Sequence, residues 1–379
     1  DGIEVMIKNP GIPYEHPLVK AAINRQIPVL TEIELAGQIA EGKIIGITGS
    51  NGKTTTTTLI TNMLQHSNQS VKMAGNIGIA ASDVARQTKQ DDVLVLELSS
   101  FQLLGVQTFR PDIAVILNLF EAHLDYHHTL ENYQTAKSYI FKNQTADDVL
   151  VYNAEDPLIV DAVKEAKSQL MPFSTKRVMR DGAWLDDHAI YCKNEKIMDR
   201  KEIVVVGEHN LENILAAISA AKLAGATKDG IYRTLTTFSG VKHRLQFVGK
   251  IHDRLFYNDS KATNNLATQK ALSSFKQPII LIAGGLDRGA EFDELLPYLT
   301  HVKAMVVYGE TKEKLRALAD KANIKAVVVN ELSEAVQAAY HLSVPNDVIL
   351  LSPACASWDQ FRTFEERGDM FIDAVHKLA

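Results

Sequence analysis

The sequence of 379 residues contains only two cysteines, Cys192 and Cys355, which lie far apart. Two isolated thiols form neither a disulfide framework nor a closely spaced metal site, and they suit a reducing compartment. The net charge of −6 gives no basic footprint and argues against nucleic acid as the main partner. No apolar run is long enough to span a bilayer, and no signal peptide is recognisable, so membrane insertion is not expected. These absences predict a cytoplasmic enzyme.

The residues that are present favour a globular protein with a large core. Hydrophobic residues make up 46% of the chain and charged residues 23%, and this length predicts two or three domains. Apolar strand candidates alternate with helical stretches, which predicts an α/β fold with parallel sheets. The predicted strands are 42–48, 93–98, 114–119, 278–283, 304–308, 326–329 and 348–352.

Two segments indicate where domains begin and end. Gly240, between polar residues in 237–244, indicates a hinge between domains at 32–240 and 241–379. At the front, 1–7 reads as the end of a strand, and a helix follows from about His16. That strand has no predicted neighbour, so we expect that 1–31 is the remnant of a domain whose natural beginning is missing.

The segment 44–55 reads IIGITGSNGKTT and is followed by a helical stretch. A strand, a glycine-containing loop and a helix in this order cradle a nucleotide phosphate with backbone N–H groups and the positive helix end. Lys53 supplies charge, and the Thr54 hydroxyl can bind Mg²⁺. The ordinary P-loop has glycine where this chain has Ile47, so we expect a variant phosphate loop in a protein that consumes ATP or GTP.

Polar residues follow two predicted strands at the sheet edge where ligands bind in α/β proteins. Glu97 ends the strand 93–98 and suits a Mg²⁺ ligand, although a helix-capping or surface role is the alternative. His123 follows the strand 114–119 and suits contact with a metal or phosphate, with a structural hydrogen bond as an equally weighted alternative. His127 and His128 read as a solvated pair that needs no metal.

Other polar residues are less specific on their own. Lys137, on the helical stretch 130–141, reads as a surface lysine. Asn210 and Asn213 lie on one helix face and suit a nucleobase or ribose, although Asn210 alone suits a helix cap. The segments 256–264 and 351–361 read as substrate loops at a sheet edge or, singly, as turns.

Taken together, these motifs resemble the Mur ligases, the ATP-dependent amide-forming enzymes of peptidoglycan precursor synthesis. The variant loop TGSNGKT at 48–54 is similar to the phosphate loop of that family. Four further motifs are similar to the member that adds D-glutamate: GNIG, ELSSFQL, DSKATN and SPACAS, at 75–78, 97–103, 259–264 and 352–357. The Asp-Asn-Pro-Arg motif of the diaminopimelate- or lysine-adding member is absent, and folylpolyglutamate synthases lack the SPACAS motif.

The resemblance implies roles for individual residues. Lys53, His123 and Lys137 are the implied catalytic residues, and Lys137 matches a lysine that the family carries as a carbamate. Two Mg²⁺ ions are implied, with Thr54, Glu97, His123 and carbamylated Lys137 as ligands. The implied ATP-binding residues are Gly49, Ser50, Asn51, Gly52, Lys53, Thr54, Thr55, Asn76, Asn213, Arg244, Asp259 and Lys261. The implied D-glutamate residues are Thr263, Arg288, Ser357 and Phe364, and Arg288 stands where some members carry lysine.

The fold implied is a central P-loop ATPase domain with a parallel sheet, followed by a Rossmann-like domain and preceded by a remnant of another. The reaction implied transfers the γ-phosphate of ATP to the carboxylate of UDP-N-acetylmuramoyl-L-alanine, and the D-glutamate amine then displaces phosphate. We expect a monomer in the bacterial cytoplasm that serves cell-wall synthesis, cell shape and division. Closure about 239–241 is expected to assemble the site.

Two other classes remain open at this point. A kinase that stops at phosphoryl transfer would use a hydroxyl acceptor and need no D-glutamate. A nucleotide-switched binding module would bind ATP without releasing phosphate. The strand-end residues Glu97 and His123, with the C-terminal loops, argue against a mere binder. If the chain starts at Asp1, weak binding of the UDP-sugar is expected while ATP binding survives.

Overall fold

The computed structural model describes residues 2–120, 123–205 and 207–378. The chain divides into two compact units. The first runs from the front of the chain to Ile203 and includes His209–Phe238, and the second consists of Val204–Glu208 and the residues from Ser239 onward. The division at Ser239 falls inside the predicted hinge segment. The domain limits 1–31, 32–240 and 241–379 stay predictions, and their outermost residues, Asp1 and Ala379, lie outside the described part.

The first unit alternates strands with helices. Its strands are β1 Met6–Ile7, β2 Val29–Leu30, β3 Lys43–Thr48, β4 Val71–Gly75, β5 Val93–Glu97, β6 Ile113–Ile116, β7 Val149–Asn153, β8 Gln169–Ser174, β9 Ala183–Leu185, β10 Ala189–Cys192 and β11 Glu195–Asp199. Its helices are α1 Pro17–Asn24, α2 Glu32–Ile39, α3 Lys53–Gln65, α4 Ala81–Ala85, α5 Ser100–Leu103, α6 Leu124–His127, α7 Leu130–Ser138, α8 Pro157–Ala162, α9 Glu208–Leu223 and α10 Lys228–Thr237, with 3₁₀ turns at Val163–Glu165 and Arg200–Glu202.

A nine-stranded sheet organises this unit, in the order β11-β10-β9-β8-β7-β6-β3-β5-β4. Strands β4 to β9 and β3 pair in parallel, and β10 and β11 extend the sheet as antiparallel strands. Strands β3, β5 and β6 are continuous apolar runs because helices or loops cover both faces of the sheet. Their carboxyl ends lie side by side, which brings the predicted phosphate loop and the predicted strand-end residues to one edge.

The predicted strands of this unit are confirmed, with one shorter than predicted. The strand predicted over 114–119 ends at Ile116, because the following backbone hydrogen-bonds to the end of β3 and to the phosphate loop. Leu117 N donates to Thr48 O at 3.1 Å, and Ser50 N donates to Asn118 O at 2.9 Å. Leu117 and Leu119 stay buried although they leave the strand.

The front of the chain differs from the prediction in one respect. β1 is not without a neighbour, because it pairs in parallel with β2, with Met6 opposite Val29. The strand covers only two residues of the predicted segment 1–7. Helix α1 connects the two strands and begins at Pro17, close to the predicted start.

The second unit contains a six-stranded sheet in the order β12-β13-β17-β14-β15-β16, in which only β12 runs antiparallel to its neighbour. Its strands are β12 Gln246–Ile251, β13 Arg254–Asn258, β14 Ile279–Gly284, β15 Val302–Tyr308, β16 Lys325–Val328 and β17 Val348–Leu351. Its helices are α11 Asn265–Leu272, α12 Lys312–Lys321, α13 Leu332–Leu342 and α14 Phe364–His376, with a 3₁₀ helix at Asp293–His301. Hydrophobic clusters cover both faces of the sheet, and the four strands predicted here are confirmed.

Among the described residues, no helix is both long enough and apolar enough to cross a membrane.

Candidate active site

The predicted phosphate loop connects β3 to α3. Gly52 ends the loop with φ of +83°, and a Cβ there would overlap Asn213 Oδ1 and lie 3.0 Å from Asn213 Cγ. Glycine is therefore required both for the backbone conformation and for space. Thr54 and Thr55 lie in the first turn of α3, whose N-terminal N–H groups face the loop.

Asn118 holds the loop in shape from the neighbouring strand end. Its side chain accepts from Asn51 N at 2.8 Å and donates to Asn51 O at 3.2 Å. Ser50 Oγ donates to Phe120 O and accepts from the Tyr133 hydroxyl, each at 3.1 Å. Sequence reasoning did not assign Asn118 or Tyr133 to the site, although the strand-end position of Asn118 is the signal that identified Glu97.

Asn213 supports the loop from α9. Its side-chain oxygen accepts from Thr56 Oγ1 at 3.4 Å, and its amide donates to Asn210 Oδ1 at 3.2 Å. Both asparagines are buried. Asn210 lies inside α9, so its alternative role as a helix cap is wrong. The two asparagines lie on one face of the helix, as predicted.

Lys137 is buried, and its interpretation as a surface lysine is wrong. Only 1% of the residue is exposed, and its ammonium donates to Gly49 O at 2.9 Å. Lys53 Nζ donates to the same carbonyl oxygen at 2.8 Å. Burial, together with the positive charge of Lys53, lowers the pKa of Lys137 well below its ordinary value of 10.5. Helix α7 thus places a buried amine with a lowered pKa behind the phosphate loop.

Glu97 is buried at the carboxyl end of β5, with 2% of the residue exposed. Its Oε1 accepts from Asn76 Nδ2 at 3.2 Å, whereas Oε2 has no hydrogen-bond partner among the described residues. Ser99 is the N-cap of α5, so both alternatives for Glu97, a capping and a surface role, are wrong. A buried carboxylate oxygen without a donor suits a cation.

His123 is the N-cap of the short helix α6 and has the left-handed conformation, with φ of +56°. Lost solvation and the positive charges of Lys137 and Lys53 lower its pKa. His127 is not part of a solvated pair, because it is 4% exposed and its Nε2 lies 2.9 Å from Ser100 Oγ. His128 alone has the expected exposed side chain.

The metal ligands predicted here form no closed set by themselves. Within the described ranges, no group of three or more His, Cys, Asp and Glu side chains could hold a metal ion. Glu97 and His123 would therefore need further oxygen ligands, which the Thr54 hydroxyl, a modified Lys137 and substrate phosphates can supply. The unpartnered oxygen of Glu97 fits this arrangement.

In the second unit, Asp259 follows β13 and is buried. Its carboxylate accepts from Leu245 N at 3.0 Å and from Ser352 Oγ at 2.9 Å. Burial raises the pKa of Asp259 to about 7, and Arg244 acts in the opposite direction. His243, which sequence reasoning did not assign, is also buried, and its Nδ1 lies 3.0 Å from Asn258 Nδ2.

The remaining predicted residues of this unit lie in two groups. Lys261 Nζ lies 5.1 Å from the centroid of the Phe364 ring, and Thr263 N donates to Lys261 O at 2.9 Å. Arg288 is exposed, and its guanidinium carbon lies 5.6 Å from the ring of Trp358, the neighbour of buried Ser357. Within this unit the structure brings Lys261 and Phe364 together, whereas Arg288 contacts Trp358, which was not a predicted residue.

A parallel α/β sheet with a phosphate loop and a buried strand-end carboxylate defines a nucleotide-dependent enzyme. The sequence profile described as "Mur ligase middle domain" matches residues 47–221, and the one described as "Mur ligase, glutamate ligase domain" matches residues 243–355. The chain belongs to the Mur ligase family.

Relatives with high identity cover nearly the whole chain. The UDP-N-acetylmuramoylalanine–D-glutamate ligase of Geobacillus kaustophilus is 58% identical over 377 residues, which are 99% of this chain and 84% of that protein. The enzyme of the same name from Bacillus subtilis is 55% identical over 377 residues, again 99% of this chain and 84% of the relative.

Solved structures share the fold at low identity. UDP-N-acetylmuramate-alanine ligase MurC from Thermotoga maritima superimposes with a TM-score of 0.67 at 19% identity, covering 99% of this chain and 86% of that one. The MurF ligase from the same organism, solved in complex with ADP, gives a TM-score of 0.61 at 19% identity and covers 100% and 99%. These likenesses confirm the predicted fold class.

Proposed function

We propose that this Mur ligase joins D-glutamate to UDP-N-acetylmuramoyl-L-alanine at the expense of ATP, through an acyl phosphate. A carboxylate oxygen of the nucleotide sugar attacks the γ-phosphorus, and ADP leaves. The amine nitrogen of D-glutamate then attacks the acyl carbon, phosphate leaves with the bridging oxygen, and the amine loses a proton. Amide ligation with ATP is the activity of the family, and the names of the relatives at 55–58% identity support these substrates.

The observation that carries the proposal is the environment of Glu97. A carboxylate at the carboxyl end of β5, buried and with one oxygen lacking a donor, is costly unless a cation completes it. Thr54, Glu97 and His123 would hold Mg²⁺ in this site, with Lys137 as a carbamate. When bound, the ions neutralise charge that builds on the transferred phosphoryl group. Asn76 orients Glu97 by donating to its other oxygen.

Lys137 fits a carbamate for a separate reason. Its amine and that of Lys53 donate to the single carbonyl oxygen of Gly49, so two positive charges there would repel each other. Among the described residues, no carboxylate lies within ion-pair distance of Lys137. A neutral amine can attack CO₂: the nitrogen–carbon bond forms, a proton leaves, and the product is an anion. That anion would relieve the repulsion and supply a ligand for the cation.

Lys53 would hold the β- and γ-phosphates, with the loop residues Gly49–Thr55 around them. In the second unit, we assign Arg244, Asp259 and Lys261 to the nucleotide. The Asp259 carboxylate already accepts two hydrogen bonds from the protein, so its role in nucleotide binding is to fix the loop that carries Lys261. Thr263, Arg288, Ser357 and Phe364 would form the D-glutamate pocket, and the Arg288 guanidinium could grip a carboxylate with two N–H groups.

Phosphate release in the presence of ATP, Mg²⁺ and UDP-N-acetylmuramoyl-L-alanine tests the proposal. D-Glutamate alone among the amino acids should stimulate release, and L-glutamate should not. Lys53→Ala should abolish the stimulated rate, whereas Lys43→Ala, at an exposed position at the other end of β3, should leave it unchanged. Phosphate release that is independent of any amino acid would favour a simple ATPase, and ADP formation without phosphate release would favour a kinase; either result would refute the ligase reaction.

A further inference from the structure

A buried hydrogen bond joins the two strand-end loops of the first unit. Ser100 Oγ lies 2.9 Å from His127 Nε2. Ser100 is 1% exposed and His127 is 4% exposed. Ser100 is the first residue of α5 and follows soon after Glu97, the last residue of β5, and His127 is the last residue of α6. The bond therefore connects the segments that follow β5 and β6, two strands that do not pair with each other in the sheet.

His127 is also tied directly to His123. The backbone N–H of His127 donates to His123 O at 3.0 Å, which closes the single turn of α6. His123 itself has a φ of +56°, a conformation that an L-residue adopts only when its surroundings hold it there. A restraint on His127 is consequently a restraint on the backbone of His123.

The ring of His127 packs in an aromatic cluster. Ring centroids of Phe101, Tyr126 and Tyr133 lie 5.2, 5.1 and 5.3 Å from its own. Tyr133 in turn donates its hydroxyl to Ser50 Oγ of the phosphate loop. Burial lowers the pKa of His127 to about 4, so the imidazole stays neutral beside the lysines of the site.

We propose that the Ser100–His127 hydrogen bond is a brace that holds Glu97 and His123 at the spacing needed to share a cation and the substrate phosphates. Ser100 and His127 are positioning residues, since neither is placed to touch the reacting atoms. The inference rests on the proposed function, because the spacing matters only if Glu97 and His123 act on one ligand set. It adds two residues that the predicted site did not contain.

Three variants separate the brace from simple packing. His127→Phe keeps an aromatic ring in the cluster and removes the nitrogen that bonds to Ser100. His127→Gln keeps a polar group near the position of Nε2. Ser100→Ala removes the other partner. His128→Gln is the matched control, because His128 is adjacent but its side chain is exposed.

The readout is the affinity of the ADP-bound protein for Mn²⁺, measured by electron paramagnetic resonance, with the melting temperature recorded in parallel. His127→Phe and Ser100→Ala should each weaken Mn²⁺ binding about tenfold, the size expected when a buried hydrogen bond loses one partner. The double variant should be no weaker than the worse single variant, His127→Gln should recover most of the affinity, and His128→Gln should match the parent.

Two results would overturn the inference. Mn²⁺ affinity within twofold of the parent in both His127→Phe and Ser100→Ala, at unchanged melting temperature, would show that the bond positions nothing. Parent-like affinity in His127→Phe together with a loss in His127→Gln would show that ring packing, not the hydrogen bond, is responsible. Failure of the parent itself to bind Mn²⁺ with ADP would instead refute the proposed metal site, which distinguishes the two hypotheses.

Discussion

Replacing Gly52 by alanine tests whether the shape of the phosphate loop is fixed by the contact with Asn213. At φ of +83°, an alanine costs about 1–2 kcal/mol relative to glycine. The new Cβ would also displace the Asn213 side chain, which is buried and makes hydrogen bonds to Thr56 and Asn210. Each of those bonds is worth about 1 kcal/mol.

At the lower end of the strain cost, the sum is about 3 kcal/mol against the loop conformation seen here, which corresponds to roughly 100-fold in an equilibrium constant. The loop can escape this penalty by leaving its binding conformation while the sheet stays folded. We therefore expect Gly52→Ala to weaken ATP binding by up to about 100-fold, with a small change in melting temperature. Isothermal titration calorimetry with a non-hydrolysable ATP analogue measures the affinity directly.

Gly225→Ala provides the control for backbone strain alone. Gly225 has a φ of +101° and lies after α9, and its nearest neighbour is the flexible end of Gln69, whose Nε2 would lie 3.2 Å from the new Cβ. This variant should lose stability and keep its nucleotide affinity. A Gly52→Ala protein that binds the analogue within twofold of the parent would show that the contact with Asn213 does not fix the shape of the loop.

Three further predictions concern charge. Glu97→Gln keeps an oxygen that accepts from Asn76 and removes the negative charge. The Mg²⁺ concentration for half-maximal phosphate release should therefore rise at least about tenfold, without a change in melting temperature. An unchanged Mg²⁺ titration would contradict the role of Glu97 as a metal ligand. Unmodified Lys137 has a lowered pKa, so between that pKa and 10.5 the folded state binds fewer protons than the unfolded state. Lys137→Met should thus abolish phosphate release, yet in CO₂-free buffer it should raise the melting temperature relative to the unmodified parent. That gain should shrink as the pH rises toward 10.5, and a constant gain would be contrary evidence. The pKa of Asp259 is raised from 3.8 to about 7, so between these pH values the folded state binds more protons than the unfolded state. The free energy of unfolding should therefore fall as the pH rises through this interval, by at most ~4 kcal/mol. Asp259→Asn should lack this pH dependence in urea unfolding curves, and the same pH dependence in both proteins would rule the effect out.

Much of the fold was accessible from the sequence. Parallel strands buried on both faces are continuous apolar runs, so β3, β5 and the four strands β14 to β17 of the second unit could be located from composition alone. The phosphate loop and Glu97 followed from their positions at strand ends. β6 was predicted too long because Leu117 and Leu119 are as apolar as strand residues, although they line a turn that hydrogen-bonds to the phosphate loop.

Lys137 and His127 show what local patterns cannot provide. Both are polar residues on short helices, and periodicity assigns such residues to the solvent. Their burial results from packing against the phosphate loop and against α5, contacts between segments distant in the sequence. For Lys137, the family resemblance supplied what the pattern lacked, and nothing in the sequence singled out His127.

The proposed reaction depends on activation of the carboxylate of the nucleotide sugar as an acyl phosphate. Single-turnover reaction of UDP-N-acetylmuramoyl-L-alanine labelled with ¹⁸O in its terminal carboxylate tests this claim most directly. Because the carboxylate oxygen that attacks the γ-phosphorus departs with phosphate, we expect one ¹⁸O atom in the phosphate released with D-glutamate. Phosphate free of ¹⁸O, formed together with the amide product, would contradict it.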